Sequence, residues 1–154
     1  MDFPWQEQIV IDQTQLILNS YQHWLGSPLL NMNQAPIDLA QQLFEAPFVV
    51  LSHGTEADPI FNYGNRQSLK LWELSWNELR QTPSRYTAES IAQEERTRIL
   101  TETATKGYVT SYCGVRISST GKRFLIKNGV IWNLLDQQQN YQGQAAMFSD
   151  YHFL

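Results

Sequence analysis

The histidines and the single cysteine are the residues of this chain that could hold a metal or act as a nucleophile. They are His23, His53, His152 and Cys113, and no two of them have the paired spacing of metal ligands on one helix or in one loop. We therefore interpret the histidines as surface or helix-capping residues. Cys113 lies in a segment with strand periodicity, and a buried structural thiol is favoured there over a nucleophile.

Acid–base and phosphate chemistry find equally little support in the sequence. Glu94 and Glu95 are adjacent, so on a helix they point in different directions and are interpreted as solvated charges. No glycine-rich phosphate loop precedes a predicted helix, and no serine lies in a Gly-x-Ser-x-Gly turn. No catalytic set is predicted, and we expect a protein that is not an enzyme.

The composition indicates a single folded domain. The chain has 154 residues, of which 42% are hydrophobic and five are tryptophan, so it can bury a core without disulfides. A pI near 5.3 argues against nucleic-acid binding. Apolar stretches are far shorter than the roughly 20 residues that cross a bilayer, and no leader opens the chain, so no membrane contact and a cytoplasmic location are expected.

The charges are strongly segregated along the chain. No Lys or Arg precedes Arg66, whereas seven acidic residues do, and residues 103–127 hold five basic residues and no acidic one. One interpretation is that the acidic segment docks on the basic one, within the chain or between two chains. The other is that the basic residues around the turn at 118–121 keep a strand edge solvated.

Apolar spacing and turn residues predict an order of helices and strands. The predicted elements are helices at 5–25 and 36–46, short strands at 48–52 and 60–63, short helices capped by Asn65 and Ser75, a helix at 90–106, and three long antiparallel strands between 109 and 153. Two short strands thus precede a helical segment and three long strands follow it.

This order resembles the PAS fold, and residues 60–69 resemble the strand-into-helix pattern of that fold. More closely, several segments resemble the MEKHLA domain, a PAS-related module that occurs in stand-alone bacterial proteins and in plant homeodomain-leucine zipper regulators. These segments are Asp58 to Asn65, Leu71-Trp72-Glu73, Pro83-Ser84-Arg85, Gly114 to Ser118 and Gly143 to Ala146. The chain is therefore identified as a MEKHLA domain protein of the stand-alone bacterial form.

The resemblance implies a fold and a division of the chain. It implies an α+β fold, with a PAS-like five-stranded antiparallel sheet that has helices on one face and is preceded by two N-terminal helices. Residues 48–154 would form the PAS-like domain, and residues 1–47 would form a helical extension or cap.

The resemblance also implies a non-catalytic sensory or small-ligand-binding module that signals through protein contacts. A candidate pocket would have Phe61, Trp72, Trp76 and Trp132 as apolar walls, with Arg85 and Asn133 as polar anchors; core packing explains these aromatic residues equally well. The alternative is a ligand-free module that forms a homodimer, or receives a signalling protein, through the outer sheet face and the N-terminal helix.

A flavin-binding redox or light sensor is the third and less favoured interpretation. The light-sensing branch of the PAS family carries its reactive cysteine in an Asn-Cys-Arg-Phe motif on a helix, and that motif does not occur here. No cysteine lies in the segment 81–88 to form a thioester, and no histidine lies at 90–106 to bind haem. The sequence therefore has no motif for a covalent chromophore or haem, and the identity of any cofactor stays open.

Overall fold

The chain folds into one sheet with helices on both faces. The computed structural model describes residues 3–88 and 93–154, so the predicted helix start at Ser90 lies outside the described residues. The helices are α1 (Gln8–Leu25), α2 (Pro36–Phe44), α3 (Arg66–Trp72), α4 (Trp76–Leu79) and α5 (Gln93–Lys106), with 3₁₀ turns at Pro4–Gln6 and Ser84–Thr87. The strands are β1 (Val49–His53), β2 (Phe61–Gly64), β3 (Tyr108–Ile117), β4 (Arg123–Leu135), β5 (Tyr141–Phe148) and β6 (Asp150–Phe153).

The sheet is antiparallel, with the strand order β2-β1-β5-β4-β3. The predicted PAS-like five-stranded sheet is therefore confirmed. The last predicted strand is divided at Ser149 into β5 and the short β6, which pairs with the first half of β4. Strands β5 and β6 thus pair with successive parts of β4, so the number of strands in the main order stays at five.

The two sheet faces carry two separate hydrophobic cores, because alternate side chains of a strand point to opposite faces. One core, under α3 and α5, includes Leu51, Trp72, Ile99, Phe124 and Phe148. The other, under α1 and α2, includes Ile17, Leu18, Leu43, Val50 and Trp132. The sheet face that the homodimer interpretation would use is therefore covered by helices of the same chain.

Helix α1 is fastened to β4 by hydrogen bonds as well as by apolar packing. The indole Nε1 of Trp132 donates to the carbonyl oxygen of Ile17 at 3.2 Å. The Leu135 amide of β4 likewise donates to Ser20 Oγ at 2.9 Å, and in the reverse direction Trp24 Nε1 donates to the Asn133 carbonyl at 2.9 Å. The N-terminal helix is thus part of the folded unit around the sheet.

The acidic segment before Arg66 and the basic segment 103–127 each form an ion pair with a residue outside the other segment. Glu45 pairs with Arg66 at 3.7 Å, next to the start of α3. At the β3–β4 turn, Glu73 accepts hydrogen bonds from Ser118 and Thr120 and pairs with Lys122 at 3.4 Å. These hydrogen bonds lower the pKa of the Glu73 carboxyl, and the bond from Thr120 has the largest effect.

Asn65 connects α2, β1 and α3 through its buried side chain. As the predicted N-cap of α3, its Oδ1 accepts from the Ser68 amide at 3.2 Å, and it also accepts from the Val50 amide at 3.1 Å. Its Nδ2 donates to the carbonyls of Leu43 and Phe48 at 3.1 and 2.8 Å. The amide therefore uses both donor hydrogens and both acceptor lone pairs.

Asn65→Ala should lower the free energy of unfolding by roughly 2–4 kcal/mol, because it removes a helix cap and leaves buried backbone groups unpaired. Urea unfolding followed by circular dichroism measures this change. The control is the exposed Asn77→Ala, which should change stability by less than about 0.5 kcal/mol. Equal effects of the two substitutions would contradict the bridging role of Asn65.

Leu18→Ala tests whether α1 folds together with the sheet. Leu18 is fully buried, so its truncation should cost about 2–5 kcal/mol, with one unfolding transition. Ile9 lies on the same helix with 62% of its surface exposed, and Ile9→Ala should cost less than about 0.5 kcal/mol. A separate early transition in Leu18→Ala would indicate that α1 unfolds independently of the sheet.

Candidate functional site

A cavity of about 100 Å³ lies between the sheet and helices α3 and α5. All five strands of the main sheet order contribute to it, together with α3, α5 and the 3₁₀ turn at Ser84–Thr87. Its walls are mainly apolar and include Leu51, Phe61, Trp72, Ile99, Ile126 and Phe148. This is the position between sheet and helices that the resemblance implies for a ligand.

Four buried polar atoms around this cavity have no hydrogen-bond partner among the described residues. They are His53 Nε2, Trp72 Nε1, Tyr112 Oη and Gln144 Oε1. Buried polar atoms without partners are rare, since each costs about 1–3 kcal/mol. Three other such atoms among the described residues, on Trp5, Gln15 and Tyr63, lie outside the cavity lining, so four of the seven belong to residues around this one cavity.

His53 ends β1 on the same face as Val49 and Leu51, so its imidazole is directed to the cavity side of the sheet. Its Nδ1 lies 3.0 Å from the carbonyl oxygen of Gly54, which can only accept, so Nδ1 carries the hydrogen. In the neutral ring Nε2 is then an acceptor. Burial is the main cause that lowers the pKa of His53, and the positive charge of Arg96 adds to it.

The orientation of the Gln144 amide follows from its neighbours. Nε2 donates to the Leu100 carbonyl at 3.2 Å and to Asn133 Oδ1 at 3.1 Å, and both of these are acceptors. Asn133 Nδ2 in turn donates to the Thr103 carbonyl at 3.0 Å. Both hydrogens of the Gln144 amide nitrogen are therefore used. The atom left without a partner is the oxygen Oε1, which can only accept.

Tyr112 reaches the cavity because β3 is irregular. Ser111 has a positive φ of 55°, and the register with β4 shifts on both sides of Tyr112. A Cβ at Gly114 would collide with the Tyr112 hydroxyl, so the glycine makes room for the phenol. Burial raises the pKa of Tyr112, which keeps the hydroxyl protonated and able to donate.

Two arginines line the same cavity. Arg96, on α5, is half-buried and donates a hydrogen bond to Ser84 Oγ. Arg116, on β3, lies with its guanidinium 5.3 Å from the centre of the Tyr112 ring and donates to the Val115 carbonyl at 2.8 Å. Among the described residues that line the cavity there is no Asp or Glu.

The structure brings only part of the predicted site together. Phe61 and Trp72 line the cavity. Trp132 lies on the opposite sheet face beneath α1, and Trp76 packs edge-on against Tyr63, also outside the cavity lining.

The two predicted polar anchors lie elsewhere than in the cavity wall. Arg85 is exposed and its Nε donates to the carboxylate of Asp58 at 3.0 Å. Asn133 is buried one layer behind the lining, where it holds the Gln144 amide.

The sequence interpretation missed His53, Arg96, Tyr112, Arg116 and Gln144. The interpretation of His53 as a surface or capping residue is wrong, because its side chain is buried. Residues two apart on a strand share a face, so the position of His53 two residues after Leu51 could have placed its side chain on a core face. The buried thiol expected for Cys113 is also wrong, since Cys113 is exposed.

In the described part of the chain, no group of three or more His, Cys, Asp or Glu side chains is arranged to hold a metal ion. Across the same residues, no helix has the length and apolar character required to cross a membrane.

Comparison with solved structures defines the class of fold. The PAS domain of a protein from Colwellia psychrerythraea matches with a TM-score of 0.63 and 12% identity, over 76% of this chain and 94% of that one. A light-oxygen-voltage domain studied with a flavin analogue matches with a TM-score of 0.60 and 14% identity, over 76% of this chain and 84% of that one. The light-state dimer of the fungal photoreceptor Vivid matches with a TM-score of 0.58 and 10% identity, over 86% of this chain and 90% of that one. The protein has a PAS-like fold.

The family follows from the sequence itself. The model of the MEKHLA domain matches residues 11–153. The chain belongs to the MEKHLA domain family, as its motifs indicated, and the match includes most of helix α1. A comparison with the curated proteins finds no match.

The buried His53 should make stability depend on pH. In the unfolded chain its imidazole takes up a proton near pH 6.5, whereas the buried ring does so only at lower pH. The unfolded state therefore binds more protons below about pH 6.5, and the free energy of unfolding should fall from pH 7.5 to 5.5.

Urea unfolding at several pH values measures this slope. His53→Gln should flatten it, because the substitution removes the titrating group. The exposed His152→Gln should keep the slope of the unmodified protein. An unchanged slope in His53→Gln would mean that other groups control this pH range.

Proposed function

We propose that this MEKHLA domain is a non-catalytic sensory module that binds a small molecule in the cavity between its sheet and helices α3 and α5. The observation that carries the proposal is the set of four unpartnered polar atoms, on His53, Trp72, Tyr112 and Gln144, around a mainly apolar cavity. A ligand with complementary groups would recover the hydrogen bonds that these atoms lack. Apolar walls with a few convergent polar groups are typical of small-molecule sites.

The size of the cavity limits the ligand. At about 100 Å³ it is smaller than the ~300–1,000 Å³ of typical drug-sized ligand pockets. A cavity of roughly 150 Å³ in another protein holds one benzene molecule. The ligand should therefore be about as large as one aromatic ring.

A flavin is larger than the ligand that we propose for this cavity. One of the matched structures is a light-oxygen-voltage domain studied with a flavin analogue. A flavin has three fused rings, which need far more room than about 100 Å³. In addition, the thiol of Cys113 is exposed and does not belong to the cavity lining.

The bound state could be passed to α1 through Asn133. The side chain of Asn133 holds the Gln144 amide at the cavity, while its carbonyl oxygen accepts from Trp24 Nε1 on the opposite sheet face. A shift of Gln144 on ligand binding would thus act on the strand residue to which α1 is fastened. The output would then depend on the outer surface of the N-terminal helices.

That outer surface has apolar side chains that could meet a partner. Ile9 on α1 and Ile37 on α2 have 62% and 42% of their surface exposed. The matched Vivid structure is a light-state dimer. A second copy or another signalling protein would therefore contact the helices, rather than the sheet face that the helices cover.

Ala146→Phe tests the ligand site, because Ala146 lines the cavity beside Leu51 and the added ring would fill it. Protein purified under mild conditions from a native host should retain a small molecule, visible as a mass difference between native and denaturing mass spectrometry. The variant should lose this mass while keeping its circular dichroism spectrum.

Ala104→Phe is the matched control, since Ala104 is exposed on α5. It should retain the small molecule as the unmodified protein does. If neither protein retains a ligand, and no compound of a metabolite collection raises the melting temperature of the unmodified protein, the proposed function is wrong.

A further inference from the structure

We propose that the cavity takes a small carboxylic acid that also carries a hydroxyl or amino group. Arg96 and Arg116 would bind the carboxylate, and His53 Nε2 and Gln144 Oε1 would accept from the donor group. This inference rests on the proposed function, since it names the class of ligand for the same cavity.

The first argument is the pair of guanidinium groups in the cavity wall. Arg96 reaches the cavity from α5 and Arg116 from β3, and Tyr112 offers a hydroxyl donor beside Arg116. A planar guanidinium matches the two oxygens of a carboxylate, and such charge-assisted pairs are strong. These side chains therefore present donors and positive charge to a ligand.

Among the described residues of the cavity wall, no carboxylate balances the like charges of the two arginines. Burial, and next the positive charge of Arg116, lowers the pKa of Arg96. Asp58 acts in the opposite direction more weakly, and its carboxylate already binds Arg85 on the exposed surface. No Asp or Glu is among the described lining residues, so an anionic ligand would relieve the repulsion.

The second argument is the pair of acceptors on β1 and β5. His53 and Gln144 are direct partners across these strands, and their side chains lie within hydrogen-bond reach of each other. Nδ1 of His53 donates to Gly54, and Gln144 uses both amide hydrogens, so the two neighbouring atoms left over are both acceptors that a donor placed between them would satisfy. A carboxylate would be repelled here, whereas a hydroxyl or amino group would donate to them.

Tyr112 and Gln144 lie apart along β4. Tyr112 pairs with Gly129, and Gln144 pairs with Asn133, four residues further along the strand. Four residues of a strand span about 13 Å between backbones, so different groups of the ligand would contact the Tyr112 hydroxyl and the Gln144 oxygen. Apolar groups such as Ile99 and Ile126 lie in the wall and suit a hydrocarbon ring.

Titration calorimetry with four probes tests each part of the inference. The probes are 4-hydroxybenzoate, benzoate without the hydroxyl, 4-hydroxybenzamide without the charge, and inorganic phosphate without the apolar body. We expect 4-hydroxybenzoate to bind about 10-fold more tightly than benzoate or the amide, as loss of one charged or polar contact predicts. Phosphate should not bind.

Substitutions assign the carboxylate to its partners. Arg96→Gln and Arg116→Gln should each weaken 4-hydroxybenzoate binding by about 10-fold or more, with little effect on the amide. Arg98→Gln on the exposed side of the same helix is the matched control and should leave both affinities unchanged. Circular dichroism verifies that the variants are folded.

Three results would overturn the inference. They are equal affinity for the acid and the amide, acid binding that survives both arginine substitutions, and no acid binding at low millimolar concentration. Amide binding that Ala146→Phe abolishes would reject the acid class yet support the proposed function. Failure of the proposed function is judged separately, by the retained mass and the melting temperatures.

Discussion

The four hydrogen bonds of the buried Asn65 side chain hold α2, β1 and α3 in fixed relative positions. Strand β1 lies between the two cores, since Val50 points towards α1 and α2 while Leu51 and His53 point towards the cavity. A displaced β1 would therefore disturb the N-terminal helices and the cavity together. A buried amide whose donors and acceptors are all used favours one arrangement, because any other leaves polar groups unpaired.

The sheet also joins the candidate site to the surface of the molecule. Trp132 and Asn133 are neighbours on β4 whose side chains lie on opposite faces, one beneath α1 and the other behind Gln144. Strand β4 is hydrogen-bonded to α1 on one side of the sheet and, through the Asn133 side chain, to α5 on the other side. Because α1 and α2 cover this face of the sheet, the partner contact that we propose lies on the outer surface of the N-terminal helices.

Much of the fold could be predicted from local patterns, and less of the site. The caps at Asn65 and Ser75 follow from side chains that bond to nearby amides, and both are present. The exposure of Cys113 could not be predicted from simple alternation, because the bulge around Ser111 shifts the register and a one-residue shift reverses the faces. Arg96 was unrecognisable as a cavity residue, since only packing places it beside residues distant in sequence.

The sequence by itself determined the family, the order of the elements and which side chains share a face, because periodicity is a local property of the backbone. Only the tertiary structure decided which of the two faces meets α1 and which encloses the cavity. Hydrophobic burial has no direction, so either face could have received either set of helices. That choice separated Trp132 from Trp72 and brought Arg96, Arg116, His53 and Gln144 to one cavity.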